Sequence, residues 1–337
     1  MKNRYSRQTM FSGIGRDGQK LLLDKHVLIV GAGALGSAAA ETLARAGVGR
    51  ITIIDRDYVE YSNLNRQQLY TENDAALPMP KARAAKERLE AVNSEITIEA
   101  VVGEADPAFL ENLGTVDVII DALDNFDTRM LLNDFSQKHG IPWIYGACVG
   151  SYGLTYTILP GESACLHCLM EDIPLDGETC DTVGIIAPAV QMVSSHQTTE
   201  AMKLLTEQPE KSRKTLLSFD LWSNETSEVQ VETLKKAECP SCGEHAHHPF
   251  LQYENRAKSE VLCGRDAVQV RPGSRQYISL PDLKNRYENQ VQKENPYLLV
   301  LQLEDKRFVI FEDGRTIIHG ENDKAKARTL YQKYIGG

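Results

Sequence analysis

The sequence has no low-complexity tract and no opening apolar run flanked by basic residues, and none of its hydrophobic stretches approaches the roughly 20 apolar residues that a bilayer crossing needs. Neither a secretory signal nor a membrane span is expected, so the expected compartment is the cytoplasm. Positive charge is not in excess either. Lys and Arg number 37 against 47 Asp and Glu, a formal net charge of -10. That balance argues against nucleic acid as a partner and still allows a local basic pocket for phosphate. Cysteine is scarce: seven among 337 residues, too few and too unevenly spaced for a small disulfide scaffold. What is present is an ordinary soluble composition, 42% hydrophobic and 25% charged, in a chain long enough for one large core or two unequal ones.

Residues 25–31, KHVLIVG, read as a buried strand, and AGALGSAAAETLARAG after them as a helix. Gly31, Gly33 and Gly36 fall at the spacing G-x-G-x-x-G. In such a turn the first glycine makes the bend, the second lets backbone approach phosphate, and the third packs helix on strand. The context supports a nucleotide site, because a second strand, GRITIIDRD, ends in Asp55, 19 positions after Gly36, where a carboxylate accepts hydrogen bonds from a ribose. The fingerprint alone does not separate NAD from ATP. Arg66, Lys81 and several side-chain amides soon after Asp55 favour chemistry at phosphoryl oxygens, since hydride transfer develops no charge there.

Farther on, residues 116–120 read as a buried strand ending in an acidic cluster, Asp121, Asp124 and Asp127, ahead of a helix. Magnesium held through one carboxylate and the phosphates would relieve their repulsion. For Asp121 and Asp127 a second reading stands beside it, acids at the positive end of the helix dipole. Cys165 and Cys168 form C-L-H-C, and Cys239 and Cys242 form C-P-S-C. Two such pairs supply four thiolates, which suits structural zinc, and the 70 residues between them make the metal a pin for a long excursion rather than a finger. His167 is not needed as a ligand, and a redox reading of either pair leaves the matching pair unexplained. Cys180, on an acidic turn-rich stretch before an apolar helical pattern, is a candidate nucleophile, whereas Cys148 and Cys263 read as structural.

The combination of RYSRQ, GAGALGS, DRDYVEYSNLNRQ, Pro80-Lys81, DALDNFDTR and both cysteine pairs closely resembles the E1-like adenylyltransferases of the ThiF, MoeB and HesA type, over about residues 4–248. The resemblance implies an α/β fold with a Rossmann-like mononucleotide-binding sheet, a structural zinc knot and ATP with Mg2+ as the working pair. It implies that Asp55 holds the ribose, Arg66 and Lys81 the triphosphate and Asp124 the magnesium, with Asn63 and Gln67 as further polar contacts. Arg7 matches an arginine that reaches into the other subunit of a homodimer. The implied reaction joins the C-terminal glycine carboxylate of a Gly-Gly-ended, ubiquitin-like sulfur-carrier protein to AMP. The resemblance further implies a cysteine desulfurase or another sulfur donor as a partner, and a second-step role for Cys180 in thiazole-pathway members. The carrier of thiamin thiazole synthesis is the first expectation, the carrier of molybdopterin synthesis the alternative, and a catalytically inactive binding partner the rival from another class.

Residues 249–337 carry no obvious rhodanese domain. Two alternating segments joined by E-D-G-R read as a hairpin, followed by an amphipathic helix, so a small α+β domain is expected there, after an adenylation domain over 1–248. This form of tail resembles one found in the thiazole branch. Gly336 and Gly337 read as a stub after the last helix rather than as a carrier's tail.

Overall fold

A computed structural model of the protein describes residues 3–172, 183–252, 259–262, 266–271 and 277–336. The chain divides into two compact units: Met1–Glu72 with Pro80–Tyr253, and Asn73–Met79 with Glu254–Gly337.

In the first unit the described strands are β1 (His26–Val30), β2 (Arg50–Asp55), β3 (Thr97–Val102), β4 (Val118–Asp121), β5 (Trp143–Val149), β6 (Tyr152–Ile158), β7 (Thr215–Asp220) and β8 (Glu225–Gln230). They form one sheet in the order β3-β2-β1-β4-β5-β6-β7-β8. Neighbours from β3 to β5 are parallel, and from β5 to β8 antiparallel. HVLIV and VIID are buried along their whole length, as strands covered on both faces must be, which explains why they read as continuous apolar runs without alternation. One face packs the Ala34–Ala46 and Ala187–Leu205 helices around Leu35, Val190, Val193, Leu217 and Phe219. The other carries the Phe126–His139 helix, whose Leu132 and Phe135 share a core with Leu28, Trp143 and three of the paired cysteines.

The connectivity fixes where a ligand can enter. From β1 the chain builds outward through β2 and β3, then returns to β4 on the other flank of β1, so that Val30 lies opposite both Ile54 and Asp121. The carboxyl ends of β1 and β4 therefore diverge into a crevice, the position that open α/β sheets give their ligands. The antiparallel strands extend the same edge. Val149 pairs with Tyr152, Tyr152 with Asp220 and Asp220 with Glu225, so the turn joining β7 to β8 projects from the side on which β1 and β4 end.

The second unit holds a six-stranded sheet, β11-β12-β13-β14-β10-β9, antiparallel throughout, from β9 (Ser259–Leu262), β10 (Ala267–Val270), β11 (Val291–Asn295), β12 (Leu298–Leu303), β13 (Lys306–Phe311) and β14 (Thr316–His319). The hairpin expected at E-D-G-R joins β13 to β14, with Phe311 N donating to Arg315 O at 2.9 Å. The Leu280–Arg286 and Lys324–Tyr334 helices close a core with Val268, Leu299, Phe308 and Ile318. Asn295 Nδ2 donates to Leu77 O at 2.8 Å, which attaches the Asn73–Met79 segment to this unit. At the end of the last helix Ile335 is buried and Gly336 N donates to Tyr331 O at 3.0 Å.

Candidate active site

The three glycines of the first βα turn answer to different neighbours. Gly31 has φ +98°, and a Cβ on it would lie 2.3 Å from Ala122 O. A Cβ on Gly36 would lie 1.9 Å from Gly31 O, so the helix packs on its own turn only because this residue has no side chain. Gly33 differs. Among the described residues a Cβ there would meet nothing nearer than Gln67 Nε2 at 3.9 Å, so none of them requires glycine at this position. The space over Gly33 opens beside the N-terminus of the Ala34–Ala46 helix, whose first N–H groups lack carbonyl partners. Gln67 is buried, and its Nε2, a donor, faces the space over Gly33. An open cradle lined by backbone N–H and a side-chain amide N–H suits a phosphate chain.

The flanking residues fix that cradle. Asp55 Oδ2 accepts from Ala32 N and Oδ1 from Asp57 N, both at 2.6 Å, which spends two of about four acceptor positions and leaves the others for hydroxyls. Tyr70 donates to Ala32 O at 2.5 Å and lays residues 58–70 across the turn. Lys81 is buried at the start of the Lys81–Val92 helix. Its N–H donates to Asp57 O at 2.8 Å, and its Nζ lies 3.2 Å from Asp57 Oδ2. Asn63 is buried as well, but its Oδ1 accepts from Glu60 N at 3.1 Å in a capping box, so its carbonyl serves the turn. Arg66 Nη1 donates to Ser62 O and Asn65 Oδ1, at 2.9 and 3.0 Å, and the guanidinium rests on its own turn.

The acidic cluster does not act as one group. Asp121 is buried: its Oδ2 lies 3.0 Å from Arg129 Nε, and its Oδ1 accepts from Leu123 N at 2.9 Å. Burial pushes this carboxyl up, and Arg129 opposes the shift. Fully buried and paired with the Arg129 guanidinium, it presents no open face to a cation, which corrects the reading of the three acids as one cluster. Asp127 is exposed in the first turn of the helix, as the dipole reading expects. Asp124 alone is exposed from the loop beyond β4, touched by Asn125 Nδ2 at 3.3 Å, and its carboxylate suits a hard cation.

Arg7 lies away from all of these. Its helix, Ser6–Met10, is anchored where Gln8 Nε2 donates to Ala46 O at 2.8 Å, at the opposite end of the Ala34–Ala46 helix from the glycine turn. Thirteen helical residues span about 20 Å. Arg7 is exposed there, beside Met10.

The four paired cysteines do converge. Sulfur separations are 3.8 Å for Cys165–Cys168, 3.7 Å for Cys165–Cys239 and 3.5 Å for Cys168–Cys242, and all four sulfurs lie within 4.8 Å of one another. Those are not disulfide lengths. Four sulfurs about 2.3 Å from a central zinc would lie about 3.8 Å apart, so the cluster has the dimensions of a tetrahedral thiolate site. Among the described residues it is the one group of three or more His, Cys, Asp or Glu side chains close enough to share an ion. Their own proximity splits the thiols in ionisation, with Cys168 held low and Cys165 pushed high. His167 shares a hydrogen bond with Ser241 across the two knuckles, at 3.0 Å between Nδ1 and Oγ, and stands outside the sulfur cluster. Cys148 is partly buried at the end of β5, and Cys180 and Cys263 lie outside the described residues.

Residues 5–241 match the family model described as the ThiF family. The chain belongs to the ThiF family. This ThiF-family chain is 50% identical over 339 aligned residues to the sulfur carrier protein ThiS adenylyltransferase of Bacillus subtilis, covering all of both chains. It is 34% identical over 244 residues to the molybdopterin-synthase adenylyltransferase of Escherichia coli, covering 72% of this chain and 96% of that one. Among solved structures, E. coli MccB has the same fold, with a TM-score of 0.63 at 22% identity over 73% of each chain.

Two residues important to this site had no reading from the sequence. Arg129 stands eight positions after Asp121, and Gln197, on the Ala187–Leu205 helix, donates through Nε2 to Asp121 O at 2.7 Å and Ile144 O at 3.1 Å. One local signal exists for Gln197. A Cβ on Gly146 would lie 2.3 Å from its Nε2, so the glycine in the strand marks a side chain crossing over it.

Proposed function

We propose that this protein uses MgATP to adenylate the C-terminal glycine of a ubiquitin-like sulfur-carrier protein of the ThiS type. The observation that carries the reading is the 50% identity to the B. subtilis ThiS adenylyltransferase over the whole chain, the second unit included. The molybdopterin-branch relative is 34% identical over 72% of the chain, against 50% over all of it for the B. subtilis protein, which favours the thiazole carrier over the alternative.

In this reading the adenosine ribose bonds to Asp55, and the triphosphate runs over Gly33 toward Gln67, Lys81 and Arg66. The carrier's carboxylate, already ionised at neutral pH, attacks the α-phosphorus in line, and pyrophosphate departs. No general base is required. Lys81 is pre-oriented by Asp57, while Arg66 turns from Ser62 O and Asn65 Oδ1 to meet charge on the departing oxygens. Magnesium, held by Asp124 and the phosphates, supplies further neutralisation when bound. Zinc is the ion that fits the four sulfurs, and its role is to pin the two knuckles together. A helix-length gap separates Arg7 from its own glycine turn, so Arg7 serves the site of a second copy in a homodimer. The carrier's globular body rests on the antiparallel end of the sheet, where Tyr152 and the 80% exposed Trp222 stand on the edge toward which its tail must thread.

Exchange of labelled pyrophosphate into ATP tests the reading. Exchange with an intact thiazole-type carrier, lost when its last glycine is removed, is the expected result. Exchange with a molybdopterin-type carrier alone would reassign the pathway, and none with either carrier would favour a binding protein without catalysis.

A further inference from the structure

We propose that Arg129 is the positioning residue for Asp124: it clamps the loop after β4 so that this one carboxylate is presented to the nucleotide site. The inference rests on the reading of Asp124 as the magnesium-holding residue.

Several other groups in and beside that loop are already bound. Ala122 N donates to Val30 O at 3.0 Å, and Leu123 N donates to Asp121 Oδ1 at 2.9 Å. Asn125 Oδ1 accepts from Thr128 N at 2.9 Å and starts the helix. Arg129 closes the set from the first turns of that helix. Its Nη2 donates to Leu123 O at 2.7 Å and to Gly146 O at 3.0 Å, and its Nε lies 3.0 Å from Asp121 Oδ2. The guanidinium is held flat, with its carbon 5.3 Å from the Phe126 ring centroid and 5.0 Å from that of Tyr145. One fork thus joins the end of β4, the loop and β5. Only an arginine reaches a carboxylate and two carbonyls in one plane; a lysine ammonium has neither the span nor the fixed donor directions. A charged pair buried at a strand end is weak evidence for stability, because an apolar pair of similar volume serves the core as well. Holding a metal-facing carboxylate in place is a use that an apolar pair cannot supply.

The test is ATP binding by isothermal titration across a series of MgCl2 concentrations, on the full chain, with thermal melts run alongside. The variants are Arg129→Lys and the double change Asp121→Asn with Arg129→Met. The double variant removes both charges together and keeps an acceptor for Leu123 N, so it loses the clamp without stranding a buried charge. We expect the magnesium concentration giving half of the ATP-binding enhancement to rise about tenfold in both, with binding in the absence of magnesium unchanged. A merely structural role would lower the melting temperature and leave that midpoint where it was. A folded variant with a midpoint within twofold of the parent overturns the inference, and if the double variant does not fold, Arg129→Lys decides. A parent protein whose ATP binding ignores magnesium overturns the reading of Asp124 itself, and the inference with it.

Discussion

Alanine at Gly33 and alanine at Gly36 separate a glycine kept for a ligand from one kept for the fold. At Gly36 the added methyl would lie 1.9 Å from Gly31 O, a backbone atom that cannot turn aside, so strand and helix must part. At Gly33 nothing among the described residues comes nearer to an added Cβ than 3.9 Å, and φ is -73°, on the ordinary side for an L residue. The methyl would occupy the face on which phosphate must approach. Displacing the phosphates by about 1 Å costs about a hundredfold in rate, roughly 2.7 kcal/mol of transition-state stabilisation. Melts by circular dichroism and ATP–pyrophosphate exchange read the two effects separately. Gly33→Ala should melt near the parent and lose about a hundredfold in exchange, whereas Gly36→Ala should melt far lower or not fold. Parental exchange in a folded Gly33→Ala protein would refute the reasoning.

His167→Phe keeps the ring that meets Phe250, at 6.2 Å between centroids, and drops the bond to Ser241, so zinc loss to a chromophoric chelator should be about tenfold faster, and an unchanged rate would leave the cross-knuckle bond without a role. Burial holds His26 below the usual imidazole range while its nitrogens engage Thr115 O and Thr52 Oγ1. Its folded pKa is depressed, so the unfolded chain takes up the proton first; stability should be full above about pH 6.5 and fall as the pH drops toward the folded value, with a shallower slope in His26→Asn melts. If Arg7 acts in trans, Arg7→Ala and Lys81→Ala proteins, each inactive alone, should recover about a quarter of parental exchange when mixed as subunits of a symmetric dimer, and no recovery would place Arg7 outside the chemistry.

The parallel half of the sheet was legible because its signals are local. KHVLIVG and GRITIID are short buried runs, and the glycine spacing lies within six residues of chain. The cysteine knot was legible for the opposite reason: although 70 residues separate the pairs, C-x-x-C is specific enough to be matched without knowing the path between them. The acidic cluster shows where such reading stops. Asp121, Asp124 and Asp127 look alike in a string, yet the strand end buries the first, the loop exposes the second and the helix turns the third outward. Their difference depends on Arg129, eight positions on and one turn into the next helix, and on Gln197 from a helix that starts 66 residues after Asp121. No periodicity encodes such a meeting. In the second unit E-D-G-R announced one hairpin, but the four further strands had only short alternating segments to declare them.

The mixed sheet also bears on how, in the proposed function, one edge would serve two kinds of ligand. A nucleotide needs the divergence at β1 and β4, which only a parallel arrangement with a reversal of strand order creates. A carrier protein needs a firm surface from which its last residues can enter that crevice. Antiparallel strands meet this need because their turns are short and project from the same edge. The β7–β8 turn is stiffened where Asp220 Oδ1 accepts from Ser151 Oγ at 2.7 Å and from Trp222 N at 2.8 Å, so the exposed indole is carried on ordered backbone. An apolar residue held rigidly in water loses little entropy when covered, which is why such positions dominate binding energy. Joining the antiparallel strands to β5 places this surface in line with the crevice without a second domain to orient it. On the proposed function, a compact body with an extended tail would rest on β6 to β8 and reach Gly33, whereas a bare peptide would forgo the first contact and a folded terminus the second.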